Sequence, residues 1–412
     1  MLRVLFPRAL FGADFARLWT AAAVANLGDG ITMAAGPLLV ASITTDPAAV
    51  AGAVFAQQLP WLLFALLSGA WADRLDRRRL VVTVNLVRAA ALAALVAAVA
   101  GDAVTVPLIY AVFFVLGTGE TLADTAASAF VPALVPADQL PTANAWLGAT
   151  FTVLNQFAAK PLGAWLFVVA AAAPFGVNAL SFAASAALVA GIGSLPATRP
   201  RPRTSLRADI AEGLRWLWQH RLLRALAVTM AFGNVVFCAA FAIFVLYAFE
   251  RLGLGQLGYG VLLTAFAVGG LAGTVAAPPL LRTVSATVLL RTGLVVEAAL
   301  HATLALTRTP WVAAAMIVVF SVHAAVWGTV VTTLRQRSVP GPIYGRVSSV
   351  YSLLELGGAA LGSLLGGLLA RAYGITATFW TAAAAMAVIL LLAWRPLATA
   401  TPVFRRPAGG DG

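Results

Sequence analysis

The chain has 412 residues, of which 61% are hydrophobic and only 10% are charged, with a formal net charge of +12. Soluble domains carry about 25% charged residues, so this composition excludes a soluble globular protein and indicates a membrane protein. A single cysteine, Cys238, excludes a disulfide within the chain and a metal site built from cysteines, and the histidines are too far apart for a short metal motif.

The N-terminal stretch contains Arg3 and Arg8 but no short apolar region that ends in a small-residue cleavage site before Asp14. We therefore expect no removable signal peptide, and the first membrane span itself is expected to direct insertion.

Twelve apolar stretches follow, each long enough as a helix to cross about 30 Å of hydrocarbon. Helices are favoured over strands because backbone amides inside lipid must find partners within their own segment. The predicted fold class is an all-α polytopic membrane protein. The expected spans are 16–42, 48–70, 80–100, 104–124, 142–168, 174–195, 224–248, 256–281, 286–307, 311–333, 345–370 and 374–394.

One long polar segment, from Leu195 to Arg224, separates the first six spans from the last six. Prolines interrupt its first part, and its second part places apolar residues on one face of a helix expected to lie on the inner membrane surface. This division predicts an N-terminal bundle at 1–195, a linker at 196–222, a C-terminal bundle at 223–395 and a tail at 396–412. The residues on the apolar face are Leu206, Ile210, Leu214, Leu217 and Trp218.

Similar positions recur 204 residues apart in the two halves. Gly163 corresponds to Gly367, Gly69 to Gly273, and Val135-Pro136 to Val339-Pro340. Together with six spans on each side, this spacing predicts a parallel repeat of two six-helix bundles with a site between them near the bilayer midplane.

Basic residues predict the orientation. If the N-terminus is cytoplasmic, the cytoplasmic side holds all but four of the 27 Lys and Arg, including the arginines from Arg74 to Arg88. Only Arg251, Arg308 and Arg371 would then lie on the extracellular side of the membrane, and Lys160 lies in a span. The positive-inside rule therefore predicts that both termini are cytoplasmic. The charge is spread over loops with no aromatic-basic module, so nucleic-acid binding is not expected.

A charged segment between spans two and three fits the pattern G-x-x-x-D-R-x-G-R-R, with Asp76 in place of its second glycine. The matching residues are Gly69, Asp73, Arg74, Arg77 and Arg78. This segment resembles the signature of major facilitator superfamily transporters. The resemblance implies a twelve-helix transporter in which these residues form a cytoplasmic gate, with Asp73 as a latch facing the start of helix eleven near 345–348.

Other stretches are similar to drug:proton antiporters of the macrolide-efflux and enterobactin-exporter type. A helix-five pattern of such antiporters is only partly present, because Lys160 replaces a small residue. The stretches are Phe15-Ala16-Arg17-Leu18-Trp19, Asn26-Leu27-Gly28-Asp29-Gly30, Leu134-Val135-Pro136 with Ala143-Asn144, His220-Arg221-Leu222-Leu223-Arg224 and Val339-Pro340 with Gly345-Arg346-Val347.

Charged residues within spans are the main candidates for chemistry, since each costs about 2.5–3.5 kcal/mol on insertion scales. The resemblance implies that spans one, four, seven and ten line the central cavity, which places three carboxylates there. Glu120 and Asp124 are four residues apart and share a helix face, and two close carboxylates favour retention of a proton by one of them. The candidates are Asp29, Glu120, Asp124, Lys160, Glu297 and Glu355.

Each candidate has a structural alternative. Asp29 could hydrogen-bond backbone, one of Glu120 and Asp124 could cap a helix, and Glu297 is expected to be structural because span nine is peripheral. His323 is expected to pack instead of relaying protons.

Lys160 is expected to form a salt bridge with Asp29, Glu120 or Asp124, with anion binding or an interfacial position as the alternatives. Further predicted cavity residues, for which packing is the alternative, are Asn26, Asn155, Gln156, Asn234, Phe237 and Phe241.

The sequence contains no nucleophile elbow, zinc-protease motif or phosphate-binding loop, so no enzyme activity, direct ATP drive, cofactor or metal is expected. The first hypothesis is proton-coupled export of a small amphiphilic compound, such as a drug, antibiotic, siderophore or secondary metabolite. The alternatives are a lysolipid transporter and a non-transporting sensor. The expected partners are the substrate, protons and the lipid bilayer of a bacterial plasma membrane, with the chain as a monomer.

Overall fold

A computed structural model describes residues 11–72, 76–127, 130–193 and 206–400. Within these ranges the secondary structure is helical, with no strand. The chain divides into two compact units. Unit 1 comprises Met1–Thr45, Gly52–Pro202 and Gln256–Val261, and unit 2 comprises Asp46–Ala51, Arg203–Gly255 and Leu262–Gly412.

We number the spanning helices α1 to α12. The fifth contains an internal π-helix, Phe151–Ala159, and is preceded by a short helix, Val131–Leu134, and a 3-10 turn, Ala137–Gln139. The first six helices are α1 Ala13–Ile43, α2 Pro47–Ala72, α3 Arg77–Ala100, α4 Val106–Ala127, α5 Leu140–Val169 and α6 Ala173–Ala190.

The second set of helices follows a linker helix, Leu206–Gln219. A short helix, Phe244–Leu246, and a π-turn, Tyr247–Arg251, extend the end of α7, and a 3-10 turn, Pro396–Thr399, follows α12. These six are α7 Arg221–Ala242, α8 Gln256–Thr283, α9 Ala286–Leu306, α10 Pro310–Ser338, α11 Gly341–Tyr373 and α12 Ile375–Ala393.

Eleven helices in the described ranges are long and apolar enough to cross a membrane, and α5 supplies the remaining segment. This agrees with the predicted count of twelve. The span expected over 142–168 corresponds to α5, which is π-helical from Phe151 to Ala159. Such wide turns occur often at functional sites, and this one contains two predicted cavity residues, Asn155 and Gln156.

Glycines bring helix pairs into backbone contact in both units. A Cβ on Gly30 of α1 would lie 2.6 Å from the carbonyl oxygen of Asn155, and one on Gly163 of α5 would clash with the carbonyl of Ile31. In unit 2, Gly362 of α11 lies against the carbonyl of Val235 on α7. The same pairing of first and fifth helices therefore recurs in both units, as expected for a repeat.

One correspondence expected from the 204-residue spacing was wrong in detail. Gly367 faces Pro47 and Ala51, whereas Gly362 and Gly366 contact α7 in the way that Gly163 contacts α1. The repeat is thus preserved in helix packing, while the individual glycine positions have shifted.

We predict that Gly163→Ala lowers the stability of the protein by about 1–3 kcal/mol, because the new methyl group meets backbone that cannot rotate away. Gly148→Ala in the same helix is the control, since no atom lies within 4 Å of its added Cβ. Melting temperatures of the two purified variants in detergent measure the difference. Equal melting temperatures would contradict the packing described for Gly163.

The linker helix packs on unit 2 through one side of its amphipathic surface. Leu217 is 1% exposed within the unit 2 core, and Arg346 Nη1 of α11 donates to Glu212 Oε2 at 2.6 Å. A Cβ on Gly213 would lie 2.7 Å from the carbonyl oxygen of Arg346. Leu217 therefore faces protein instead of lipid, whereas Trp218 is exposed.

The residue that departs from the motif, Asp76, caps the start of α3. Its carboxylate accepts a hydrogen bond from the backbone N–H of Arg79 at 3.1 Å. Aspartate is among the preferred residues at such a position because it satisfies an amide that has no partner within the helix. The replacement of glycine therefore has a local structural reason.

Candidate functional site

A buried ion pair joins α1 and α3 in unit 1. Arg88 Nη2 donates to Asp29 Oδ1 at 2.7 Å, and the side chains are 3% and 11% exposed. The guanidinium of Arg88 also stacks on the ring of Phe182 from α6, 3.8 Å from its centroid. A fully desolvated pair of this kind loses much of its stability if one member is removed, because the other charge remains buried.

Arg88 was misplaced by the sequence analysis in two ways. It was grouped with the cytoplasmic arginines, and Lys160 was the only basic residue expected well inside a span. Arg88 instead lies in the interior of α3 and is buried. The available signal was that Arg88 is the only charged residue in the otherwise apolar run from Leu80 to Ala100.

A glycine on α4 makes room for the Arg88 side chain. A Cβ on Gly119 would lie 2.5 Å from Cδ and 2.7 Å from Cγ of Arg88. A larger residue at this position would displace the methylene groups that carry the guanidinium. Gly119 therefore positions the charge beside Glu120, the next residue along the chain.

Glu120 and Asp124 on α4 belong to the same charged group. Both interact electrostatically with Arg88 and Asp29, and the side chain of Glu120 is hydrogen-bonded to Trp61 of α2. Asp29 is buried, Glu120 is half-buried and Asp124 is exposed, so the carboxylates extend from the interior of unit 1 to its surface. The three predicted carboxylates of unit 1 thus share one guanidinium.

Polar side chains from α6 orient Asp29 from the other side. Asn178, which is fully buried, donates from Nδ2 to Thr32 Oγ1 at 2.7 Å and is also hydrogen-bonded to Asp29. Nearby, Asn85 Nδ2 of α3 donates to Ser185 Oγ at 3.2 Å. The sequence analysis did not single out Asn178, since an asparagine within an apolar helix does not show which neighbour it will meet.

The polar residues of α5 form a second contact with α1. Asn155 Nδ2 donates to the backbone oxygen of Asn26 at 3.0 Å, so Asn26 contributes its carbonyl group to this contact. Lys160 Nζ donates to Gln156 Oε1, also at 3.0 Å. The observed basic partner of Asp29 is Arg88, and a pairing of Lys160 with a carboxylate stays a prediction.

The predicted polar residues of unit 2 lie together on α7 and α11. Asn234 Nδ2 donates to the backbone oxygen of Glu355, and Cys238 Sγ lies 3.7 Å from Asn234 Oδ1. Arg335 of α10 interacts electrostatically with the Glu355 carboxylate. Glu355 is therefore associated with a different cation from the one that Asp29 contacts.

Aromatic rings form a stack in unit 2, which we call the aromatic stack. Adjacent ring centroids from Phe320 through Phe237 and Phe241 to Phe244 are 5.3, 5.7 and 6.2 Å apart. Phe266 of α8 meets the stack edge-on, 6.0 Å from Phe241. Phe237 and Phe241 were predicted, whereas Phe266 and Phe320 were missed because they lie on other helices.

The described part of the gate motif contacts the end of α6 within unit 1. Arg78 Nη1 donates to the carbonyl oxygen of Ile192 at 2.9 Å. Arg17 of α1, which is not part of the motif, donates from Nη1 to the carbonyl oxygen of Gly191 at 2.7 Å. Basic side chains are favourable there because the last carbonyls of a helix carry partial negative charge. Gly69 lies within α2, and Asp73 and Arg74 lie outside the described residues.

Sequence comparisons find related transporters. A family model described as transmembrane secretion effector matches residues 9–401. An uncharacterised major facilitator transporter of Mycobacterium tuberculosis is 34% identical over 157 residues, which cover 35% of each chain. The multidrug efflux pump Tap of the same species is 29% identical over 378 residues, covering 86% of this chain and 87% of the pump. The first of these relatives is thus matched over about a third of its length.

Solved structures share the fold at low sequence identity. The match to the nucleoside transporter NupG, in a mutant form, has a TM-score of 0.73 with 10% identity. It covers 93% of this chain and 100% of the NupG chain. The match to a bacterial homologue of the iron transporter ferroportin, in an inward-facing state, has a TM-score of 0.73 with 17% identity. It covers 93% of this chain and 98% of the homologue's chain. The predicted fold class is confirmed, and the chain is a multi-pass membrane protein that belongs to the transmembrane secretion effector family of major facilitator superfamily transporters.

Proposed function

We propose that the chain exports a small amphiphilic compound across a bacterial plasma membrane by alternating access, in exchange for protons. The observation that carries this proposal is the cluster of Asp29, Glu120 and Asp124 around the single guanidinium of Arg88. The similarity to a multidrug efflux pump supports the export of drug-like compounds.

The charge balance of this cluster provides the coupling. Arg88 stays protonated under all physiological conditions and can neutralise only one of the three carboxylates. The remaining negative charge is unfavourable in a low-dielectric environment, and either a proton or a cationic group of a substrate relieves it. Competition between these two for the same oxygens makes the entry of one depend on the departure of the other.

The aromatic stack offers a surface for the apolar body of an amphiphile. Phe237 and Phe241 are half-buried, so part of each ring stays available for contact. Aromatic faces bind apolar groups and also attract cations. An amphiphile with an apolar body and a cationic group therefore suits the ring faces of the aromatic stack.

Transport in everted membrane vesicles tests the proposal, with ethidium as a fluorescent amphiphilic cation. Acidifying the vesicle lumen should drive ethidium inward, and a proton ionophore should abolish this accumulation. No response of the wild-type protein to the pH gradient would contradict proton coupling. Ionophore-resistant movement of a fluorescent lysolipid in the same vesicles would favour the alternative of lipid transport.

The proposed orientation places both termini and the linker helix in the cytoplasm, following the basic residues. We predict that single cysteines at positions 46, 102 and 308, in a variant without Cys238, react with an impermeant maleimide on intact cells. Labelling only after permeabilisation would contradict this orientation. A cysteine at position 212, in the linker helix, is the control and should react only in permeabilised cells.

We further assign Gly69, Asp73, Arg74, Arg77 and Arg78 to a cytoplasmic gate. In this proposed gate Asp73 acts as the latch that the resemblance implies, because the unpaired amides at a helix start favour an anion. The contact of Arg78 with the end of α6 supports an anchoring role for the basic part of this segment.

A further inference from the structure

Three positions on α9 of unit 2 form a line that the proposed coupling mechanism does not use. Gly293, Glu297 and His301 follow each other at intervals of four residues, so they share a helix face over about 12 Å. The ring of His323 from α10 occupies the space where a side chain of Gly293 would lie. We call Glu297, His301 and His323 the α9 cluster.

Glu297 lies against bare backbone of α7. A Cβ on Gly233 would be 3.8 Å from Oε1 and 3.9 Å from Oε2 of Glu297, which is van der Waals distance, so the carboxyl group lies beside this position of α7. Glu297 of α9 thus lies beside α7, whereas Arg88 of α3 pairs with Asp29 of α1. Among the described residues, no basic side chain forms a salt bridge with Glu297.

The surroundings of Glu297 are poor in charge. Within the described ranges no salt bridge involves it, and α12 carries no titratable side chain. On α7 the nearby titratable group is Cys238, which contacts Asn234. Arg291 of α9 donates to the carbonyl of Trp394, and Arg335 of α10 lies over the ring of Tyr351. An ionised Glu297 would therefore be an uncompensated charge in the membrane interior.

His301 adds a buried proton acceptor. It is 1% exposed, and within the part of the chain that the structure describes neither Nδ1 nor Nε2 has a hydrogen-bond partner. Buried polar groups without partners are uncommon and point to a functional reason. An imidazole one helical turn from a carboxyl group can accept its proton through water or after a rotamer change.

We propose that Glu297 is a second proton-binding site, separate from the Asp29 cluster, and that it exchanges its proton with His301 and His323. Transfer of the proton from the Glu297 carboxyl oxygen to a ring nitrogen of His301 leaves a carboxylate beside an imidazolium. The net charge of the α9 cluster is unchanged by this step. A coupling role for this proton rests on the proposed exchange of substrate for protons, whereas the proton site itself does not.

Infrared difference spectroscopy of the purified full-length protein, without substrate, tests the site through the carbonyl stretch of protonated carboxylic acids. On an alkaline pH jump, Glu297→Gln should lose one such band and release about one proton fewer per chain than the wild type. Glu297→Asp should shift this band, which provides a second variant if the glutamine form folds poorly. The control, Glu250→Gln, alters an exposed carboxylate of unit 2 and should leave the band in place.

An unchanged acid band and an unchanged proton count in Glu297→Gln would overturn the proposal, since Glu297 would then neither release nor take up a proton in the pH jump. His301→Gln should shift the band without removing it, and no shift would overturn the proton exchange with His301. Ethidium transport in vesicles separates this proposal from the proposed function. If ethidium accumulation in wild-type vesicles did not respond to the pH gradient while the Glu297 band was still observed, proton-coupled export would be contradicted. The proton site at Glu297 would still be supported.

Discussion

Arg88→Met is expected to destabilise the protein by about 3–5 kcal/mol, because it leaves the buried carboxylate of Asp29 without its cation. Arg88 and Asp29 are joined at 2.7 Å with almost no exposure, so water cannot replace the lost partner. The melting temperature of the purified variant in detergent measures the effect. The control is Arg79→Met on the same helix, whose side chain is 83% exposed and should contribute less than about 1 kcal/mol.

A second substitution makes this prediction specific to the ion pair. Arg88→Met combined with Asp29→Asn removes both charges and should recover part of the lost stability, because no buried charge remains unpaired. A double variant no more stable than Arg88→Met would contradict the pairing. Equal melting temperatures of Arg88→Met and Arg79→Met would also contradict it.

Glu120→Gln and Asp124→Asn are each expected to reduce pH-driven ethidium accumulation at least about tenfold, a loss of coupling of about 1.4 kcal/mol or more. The amides keep the size and hydrogen-bonding oxygen of the carboxylates but cannot exchange a proton. Ethidium binding should change far less than transport, because the second carboxylate of α4 still attracts the cation. Uptake into everted vesicles and fluorescence titration of purified protein measure the two quantities.

Asp102→Asn is the control for these variants, because it removes an exposed carboxylate in the turn between α3 and α4. It should transport like the wild type. If both α4 variants also accumulate ethidium normally, the coupling proton does not reside on α4, and Glu355 becomes the next candidate.

The helical architecture could be predicted because bilayer thickness and backbone hydrogen bonding leave few alternatives for long apolar segments. The helix bounds mostly differ from the expected spans by a few residues. The π-helix in α5 was not predicted, because the apolar pattern of this stretch does not distinguish it from an α-helix; within it, Asn155 closely approaches Gly30 of α1. The capping role of Asp76 had a local signal, a preferred capping residue about one helical turn before the apolar run that begins at Leu80.

The acidic members of the candidate site were identified from the cost of placing charge within a span, but their partner was not. Arg88 pairs with Asp29 because Gly119 leaves space for its methylene groups and Phe182 covers its guanidinium. Both conditions arise from packing between helices far apart in sequence. The same limit explains why Phe266 and Phe320 were missed beside Phe237 and Phe241.

In the proposed mechanism, substrate and protons compete for the carboxylates of unit 1. Proton release on addition of ethidium to purified protein in weakly buffered detergent, followed with a pH-indicator dye, tests it most directly. We expect proton release as ethidium binds to the wild type, and none when Asp29→Asn, Glu120→Gln and Asp124→Asn are combined. Saturable ethidium binding to the wild type without proton release, or equal release from the triple variant, would contradict it.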